Sequence, residues 1–318
     1  MKYQELLRKV GVKMKYYNDV REMIGDTPML KLNNLGIKSS VNIFAKLEYE
    51  NPGGSTKDRI GIAMIEKAEK AGELKKGYSI IEATAGNTGV GVALAAINKG
   101  YNVVFVVPEK FSIEKQAVMK ALGAKIVSTP EEKGIEGAVE VAEELLRTTE
   151  NSISLKQFEN LENPNAHYRT TGKEIYEDLD GNIDYLVAGA GSGGTFTGIM
   201  KYLKEKNSNI KGVLADPIGS ILGGGSEGNY DIEGIGNHFI PKTFDRDYVD
   251  IVEKISDENA LYYAREVARK EGVLAGISSG AALAAAIRLS EKIDSGNIVV
   301  VFPDRGERYF SKDLYKTS

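Results

Sequence analysis

The stretch YSIIEATAGNTGVGVALAAINKGYNVVFVVP, Tyr78 to Pro108, joins two kinds of segment. Its ends, YSIIEA and YNVVFVVP, are short, rich in β-branched and aromatic residues and bounded by glycine or proline, as buried strands are. Between them, TGVGVALAAINKG is small and apolar and stops at Gly100, as a helix would. The pattern continues outward. SIEKQAVMKALG reads as a helix with Ser112 as N-cap and Gly123 as stop, and AKIVSTP (Ala124 to Pro130) as the next strand. A long charged helix, IEGAVEVAEELLRTTE, leads to a polar stretch, Thr148 to Ser154, that reads as a seam. A second series then supplies the strands IDYLVAG, IKGVLAD and NIVVVFP. Repeated strand-then-helix units predict an α/β fold of two three-layer α/β/α domains with mostly parallel sheets, covered on both faces.

Composition narrows the function. The 318 residues are 42% hydrophobic and 27% charged, with a formal net charge of -4 and a pI near 5.6. That balance gives no electrostatic reason to expect nucleic acid or an anionic membrane as partner. No apolar run is long enough to span a bilayer, and Met1 to Tyr17 lacks the pattern of a signal peptide, so a cytoplasmic location is expected. Cysteine is absent, which excludes disulfides, thiolate nucleophiles and Cys-based zinc sites. His167 and His238 are too isolated to suggest a metal centre, and no metal is expected.

Three loops carry chemistry. GAGSGGT, Gly189 to Thr195, follows a strand and opens the helix FTGIMKYLKEKN, so its backbone N–H groups converge where a helix dipole favours an anion. It also satisfies G-x-G-x-x-G, with Asp216 placed as a ribose-binding acid, which leaves a nicotinamide dehydrogenase as an alternative. EATAGNTGVGVA, Glu82 to Ala93, offers a second anion site, or capping alone. NPGGSTKDRIG, Asn51 to Gly61, presents Lys57 in the first turn of a helix from about Thr56 to Ala71, stopped by Gly72. A lysine is disfavoured there. The helix dipole would lower its pKa and enlarge the nucleophilic neutral fraction. In GISSGAALAAAIRLS, Ser278 or Ser279 reads as an N-cap, while Asp231 and Glu233 stand in a long turn-rich loop, Pro217 to Phe239, that is too long to be idle. A reactive lysine, a phosphate cradle, a carboxylate-sized anion site and no metal ligands together suggest pyridoxal phosphate held as a Schiff base.

NPGGSTKDRIG, EATAGNTGVGVALAA, QFENLENPNAHYRTTGKEI, GAGSGGTFTGI, IEGIGNHFIP and GVLAGISSGAALAAA stand in order between about Tyr17 and Tyr309. Together they resemble the successive motifs of the cysteine synthase and cystathionine β-synthase family, the β-family of pyridoxal phosphate enzymes. The resemblance implies the second fold type of such enzymes, like the tryptophan synthase β-subunit. It implies a smaller domain at residues 50–149 and a larger one from residues 15–49 and 150–318. It implies a Schiff base on Lys57, the phosphate on Gly191, Ser192, Gly193, Gly194 and Thr195, the ring hydroxyl on Asn87 and the pyridine nitrogen facing Ser278. The substrate carboxylate would meet Thr84, Ala85, Gly86, Asn87 and Thr88, with Gln157 nearby.

The activity so implied is β-replacement or β-elimination on a small amino acid such as O-acetylserine, serine or cysteine, through an aminoacrylate. The products would be cysteine or a thioether, with hydrogen sulfide released from cysteine. Cystathionine β-synthase, lanthionine-forming and cysteine desulfhydrase activities are the alternatives. The partners implied are amino acid and thiol or sulfide substrates and a second copy of the chain, as a homodimer. Ala85 departs from the serine or asparagine of many cysteine synthases, and Asp231 and Glu233 are candidate acid-base groups for a poor leaving group.

Overall fold

A computed structural model gives the fold for residues 16–84, 86–109 and 112–315. The strands are β1 (Met29–Leu32), β2 (Val41–Leu47), β3 (Ser79–Ala83), β4 (Asn102–Pro108), β5 (Lys125–Thr129), β6 (Ser152–Ile153), β7 (Tyr185–Gly189), β8 (Lys211–Pro217), β9 (Ile251–Ile255) and β10 (Gly296–Phe302). The helices are α1 (Lys57–Lys70), α2 (Asn87–Ala96), α3 (Ile113–Ala121), α4 (Gly134–Thr148), α5 (Glu162–Arg169), α6 (Thr171–Asp178), α7 (Gly194–Lys206), α8 (Asp257–Glu271) and α9 (Ile277–Lys292).

Two sheets result, in the orders β1-β2-β10-β7-β8-β9 and β5-β4-β3-β6. All pairs are parallel except β1 with β2. The period-2 alternation of each strand divides its side chains between two helical layers. In the larger sheet Val187, Val213, Ile298 and Val300 enter one core with α8 and α9 residues such as Ala264 and Leu283. Their neighbours Leu186, Leu214, Val299 and Val301 enter another with Phe196, Ile199 and Met200 of α7. In the smaller sheet Ile80, Phe105 and Val107 meet Met64, Val90 and Met119 of α1, α2 and α3, while Ile81 and Val106 meet Ala138 and Ala142 of α4. The fold is α/β with helices on both faces of both sheets.

Three sequence expectations need correction. The smaller sheet reaches past residue 149, because Ser152–Ile153 pairs with Ser79–Ile80. Ser112 sits at the N-cap position of α3 but with φ 49° and no capping bond. Gly276, not Ser278 or Ser279, is the N-cap of α9, and both serines are buried in its first turn.

Candidate active site

Lys57 opens α1, and the loop ahead of it is tied down. Thr56 N–H donates to the Pro303 carbonyl at 2.9 Å, just past β10, and Lys57 N–H donates to Ser55 Oγ at 3.2 Å. Glycine brings α2 alongside. A Cβ on Gly91 would stand 2.4 Å from Lys57 O, and one on Gly61 2.4 Å from Gly91 O, so the two backbones touch and only hydrogen fits between them. The first turn of α2, with Asn87 and Thr88, is thereby held close to Lys57.

The Lys57 side chain has no hydrogen-bond or ion-pair partner among the described residues. Burial lowers its pKa from the ordinary 10.5, against the carboxylates of Asp304 and Glu48, which raise it. The direction is the expected one, but desolvation leads it rather than the helix dipole.

The glycine loop shares a cavity with this amine, lined by Thr56, Lys57, Gly189 to Gly193, Thr195, Gly234 and Ile235. The N–H groups of residues 191–195 donate to no protein acceptor among the described residues. They lie just before and within the first turn of α7, where no intrahelical acceptor exists. The glycines are required by what packs behind them. A Cβ would stand 2.4 Å from Gly234 O at Gly191, 2.3 Å from Phe244 Cβ at Gly193 and 2.0 Å from Asn163 Oδ1 at Gly194. Five free N–H groups opposite a primary amine form a cradle for an anion that also carries an amine-reactive carbon. Pyridoxal phosphate fits that donor set.

Among the described residues, the other expected ones, Thr84, Gly86, Asn87, Thr88, Gln157 and Ser278, do not line this cavity. Thr88 Oγ1 donates to Gln157 Oε1 at 2.6 Å, and Gly86 N–H donates to Thr84 Oγ1 at 3.3 Å, so these four lie together; Ala85 is outside the described residues. Asn87 donates from Nδ2 to Asp304 Oδ2 at 2.7 Å. Ser278 is buried, and its hydroxyl makes no hydrogen bond with a described residue. Gly234 and Ile235 of the long loop line the cavity, but Asp231 and Glu233 do not. Asp231 is exposed and borders a separate cavity with Asp257 and Lys312. Glu233 is an ion-pair partner, 2.7 Å from Lys115 Nζ and 2.6 Å from Lys312 Nζ. Burial would raise its pKa, but Lys115 and Lys312 hold it below the ordinary value.

Asp216 is fully buried and accepts from Lys254 Nζ at 2.6 Å and Gly223 N–H at 2.9 Å. It is spent on the protein, which removes the ribose-binding role the dehydrogenase alternative requires.

Asn163 has no reading in the sequence beyond its place in the motif QFENLENPNAHYRTTGKEI, and His167 none beyond that and its isolation from other metal ligands. Asn163 Nδ2 donates to Gln157 O at 2.8 Å and to Ser192 Oγ at 2.9 Å, tying the two anion loops together. His167 is buried with Nε2 3.1 Å from Thr195 Oγ1 and Nδ1 2.9 Å from Thr171 Oγ1, and burial depresses its pKa to about 3. It braces Thr195 as a neutral ring. Asp304 and Arg308 also escape the sequence reading; their one signal is a cluster of charges just past the carboxyl end of a buried strand, where α/β sheets place their ligands.

Comparison with known proteins agrees with this geometry. A family model described as "Pyridoxal-phosphate dependent enzyme" matches residues 20–304. The O-acetylserine dependent cystathionine beta-synthase of Bacillus subtilis is 50% identical over 304 residues, 95% of this chain and 99% of that protein. A cysteine synthase of Helicobacter pylori is 46% identical over 299 residues, 93% of this chain and 98% of that protein. Among solved structures, a hydrogen sulfide-producing enzyme from Fusobacterium nucleatum superposes with a TM-score of 0.88 at 41% identity, covering 92% of this chain and 100% of that one.

Proposed function

The chain belongs to the pyridoxal-phosphate dependent enzymes, and from that premise we propose that it exchanges or removes the β-substituent of a small amino acid. O-acetylserine, serine and cysteine are the donors, sulfide or a thiol is the acceptor, and cysteine or a thioether is the product. Cysteine alone would yield hydrogen sulfide. The observation that carries the reading is the cavity in which the unpartnered amine of Lys57 shares walls with the free N–H groups of the Gly191–Thr195 loop. The names of the relatives, a cysteine synthase and a cystathionine beta-synthase among them, support the substrate class.

When bound, the cofactor supplies a ring that withdraws electrons from the substrate's α-carbon. The protein does the rest. Residues 191–195 hold the phosphate. Thr84, Ala85, Gly86, Asn87 and Thr88, with Gln157, hold the substrate carboxylate. Asn87 would also hold the ring oxygen, and Ser278 would stand toward the ring nitrogen. Lys57 Nζ, neutral at lower pH than a solvated lysine, takes the α-proton as the bond from Cβ to the leaving group breaks, and returns it after a thiolate has bonded to Cβ. The leaving group departs with its electron pair, so the exchange is redox-neutral. Asp231 and Glu233 draw no geometric support as acid-base groups, since one is exposed at another cavity and the other is neutralised by two lysines. A cytoplasmic homodimer is part of the same reading, carried by the family resemblance alone.

The decisive assay incubates the cofactor-loaded protein with O-acetylserine plus sulfide, and separately with cysteine. Amino acid products are read by mass spectrometry and free sulfide by colorimetry. Cysteine from the first mixture or sulfide from the second is expected. Absence of both, in protein whose Lys57 peptide is trapped with cofactor by borohydride, would overturn the reaction while leaving the cofactor assignment intact.

A further inference from the structure

The C-terminal segment after β10 reaches the loop ahead of Lys57, the first turn of α2 and the start of α9. The Pro303 carbonyl holds Thr56 N–H, and the Asp304 carbonyl accepts from Gly276 N–H at 2.9 Å, immediately ahead of Ser278. Arg308 donates from Nη2 to the Gly53 carbonyl and from Nη1 to Asn87 Oδ1. Asp304 Oδ2 accepts from Asn87 Nδ2 at 2.7 Å and from the Tyr309 hydroxyl at 2.6 Å. Asp304 and Tyr309 are each 1% exposed, so this carboxylate is screened from water. Tyr309 is itself pinned, with Lys115 Nζ 4.6 Å from its ring centroid.

An asparagine amide has one acceptor oxygen and two N–H donors, and either end can face a ligand unless its neighbours decide. Here they decide. A guanidinium can only donate, so it takes the oxygen; a carboxylate oxygen without a proton can only accept, so it takes one N–H. The flip of Asn87 is thereby fixed by chemistry, and a single N–H is left over. We propose that Asp304 and Arg308 are positioning residues which clamp the Asn87 amide so that it presents that remaining N–H, and never its oxygen, to the cofactor's ring oxygen. The inference rests on the proposed cofactor role of Asn87 and deepens it. So oriented, Asn87 would favour the ring oxygen as an oxyanion, the state in which that oxygen carries most negative charge and accepts a hydrogen bond best. Its two jaws come from a segment more than 200 residues away in sequence.

The test is a pair of double-mutant cycles on the full chain. The dissociation constant for pyridoxal phosphate is read by fluorescence, and the ratio of long- to short-wavelength cofactor bands is read across pH. In the Asn87 background, Asp304→Asn and Arg308→Met should each weaken cofactor binding about tenfold, one charge-assisted hydrogen bond's worth, and shift the bands toward the short-wavelength form; Arg308→Lys should restore both. In an Asn87→Ala background the same substitutions should change either readout less than twofold, since there is no amide left to orient. Equal losses in both backgrounds would show a structural role alone and overturn the clamp. Arg308 is only half-buried, so its substitution gives an answer even where Asp304→Asn does not fold. A parent protein that takes up no cofactor at all would sink the function it rests on, and the clamp with it.

Discussion

At the scale of single residues the site contrasts with its surroundings. Most buried charges here are paired, as Glu233 is with Lys115, whereas Lys57 is kept without a partner at the start of a helix. Such a residue is retained for chemistry and weakens the fold, because a desolvated amine is costly without a counter-ion. Replacing Lys57 by methionine, similar in length, should therefore stabilise the cofactor-free protein by about 1 kcal/mol in urea denaturation while abolishing the borohydride-trapped adduct. Loss of stability would mean that Lys57 has a structural partner. Glu233→Gln should behave in the opposite way. It leaves Lys115, only 3% exposed, short of a counter-charge, and should lower stability by roughly 1–3 kcal/mol. Asp231→Asn should leave turnover of cysteine, serine and O-acetylserine unchanged. A selective loss on cysteine or serine would return the exposed acid to the reaction.

At the scale of elements, what could be read from the chain and what could not divide along one physical line. Strands β3, β4, β5, β7, β8 and β10 each carry β-branched or apolar residues between glycine or proline boundaries, and those boundaries find them. β2 and β9 lack such boundaries, since VNIFAKL and IVEKI stand directly beside charged residues, and only the fold shows how their own charges are met. Lys46, fully buried in β2, is bonded to Asp178 at 2.8 Å, a partner 132 residues away. The same reason hides Asp304 and His167, whose partners lie on other elements, while the glycine loop was legible because its residues are consecutive. The loop also carries the sharpest prediction at this scale. Gly191→Ala would push a methyl to 2.4 Å from Gly234 O and displace the loop. Cofactor affinity should fall at least tenfold, with the isolated stability of the apo protein changed by no more than about 1–3 kcal/mol. An affinity equal to the parent's would show that residues 191–195 are not the phosphate cradle.

At the scale of the whole molecule, buried ionisable groups couple the site to the fold. Arg59, two residues past Lys57, is bound by both oxygens of Glu48 at 2.7 Å and by Glu174 at 2.6 and 2.8 Å, which fixes the Lys57 end of α1 to α6 and to the turn just past β2. Burial alone would raise the pKa of Glu48, but Arg59 holds it at about 2. A depressed carboxylate stabilises fully above its unfolded value of 4.5 and loses that contribution as pH falls from there toward 2. His167 acts at higher pH. Its folded pKa of about 3 lies below the ordinary 6.5, so between those values the unfolded chain takes up a proton that the folded one refuses, and stability falls as pH drops. Asp58 opposes it: burial pushes its carboxyl up to about 7 from 3.8, so the folded chain gains a proton first and stability rises over that same range on acidification. A pH profile of the parent alone would blend these effects, but a difference profile separates them. His167→Gln keeps an amide within reach of Thr195 and removes the titration. Relative to the parent, this variant should gain about 1.4 kcal/mol for each pH unit below 6.5, read from urea midpoints at pH 7, 6 and 5. Parallel profiles would mean that the buried imidazole is protonated with its surroundings, and that the ring bracing Thr195 is a cation rather than the neutral group its burial demands.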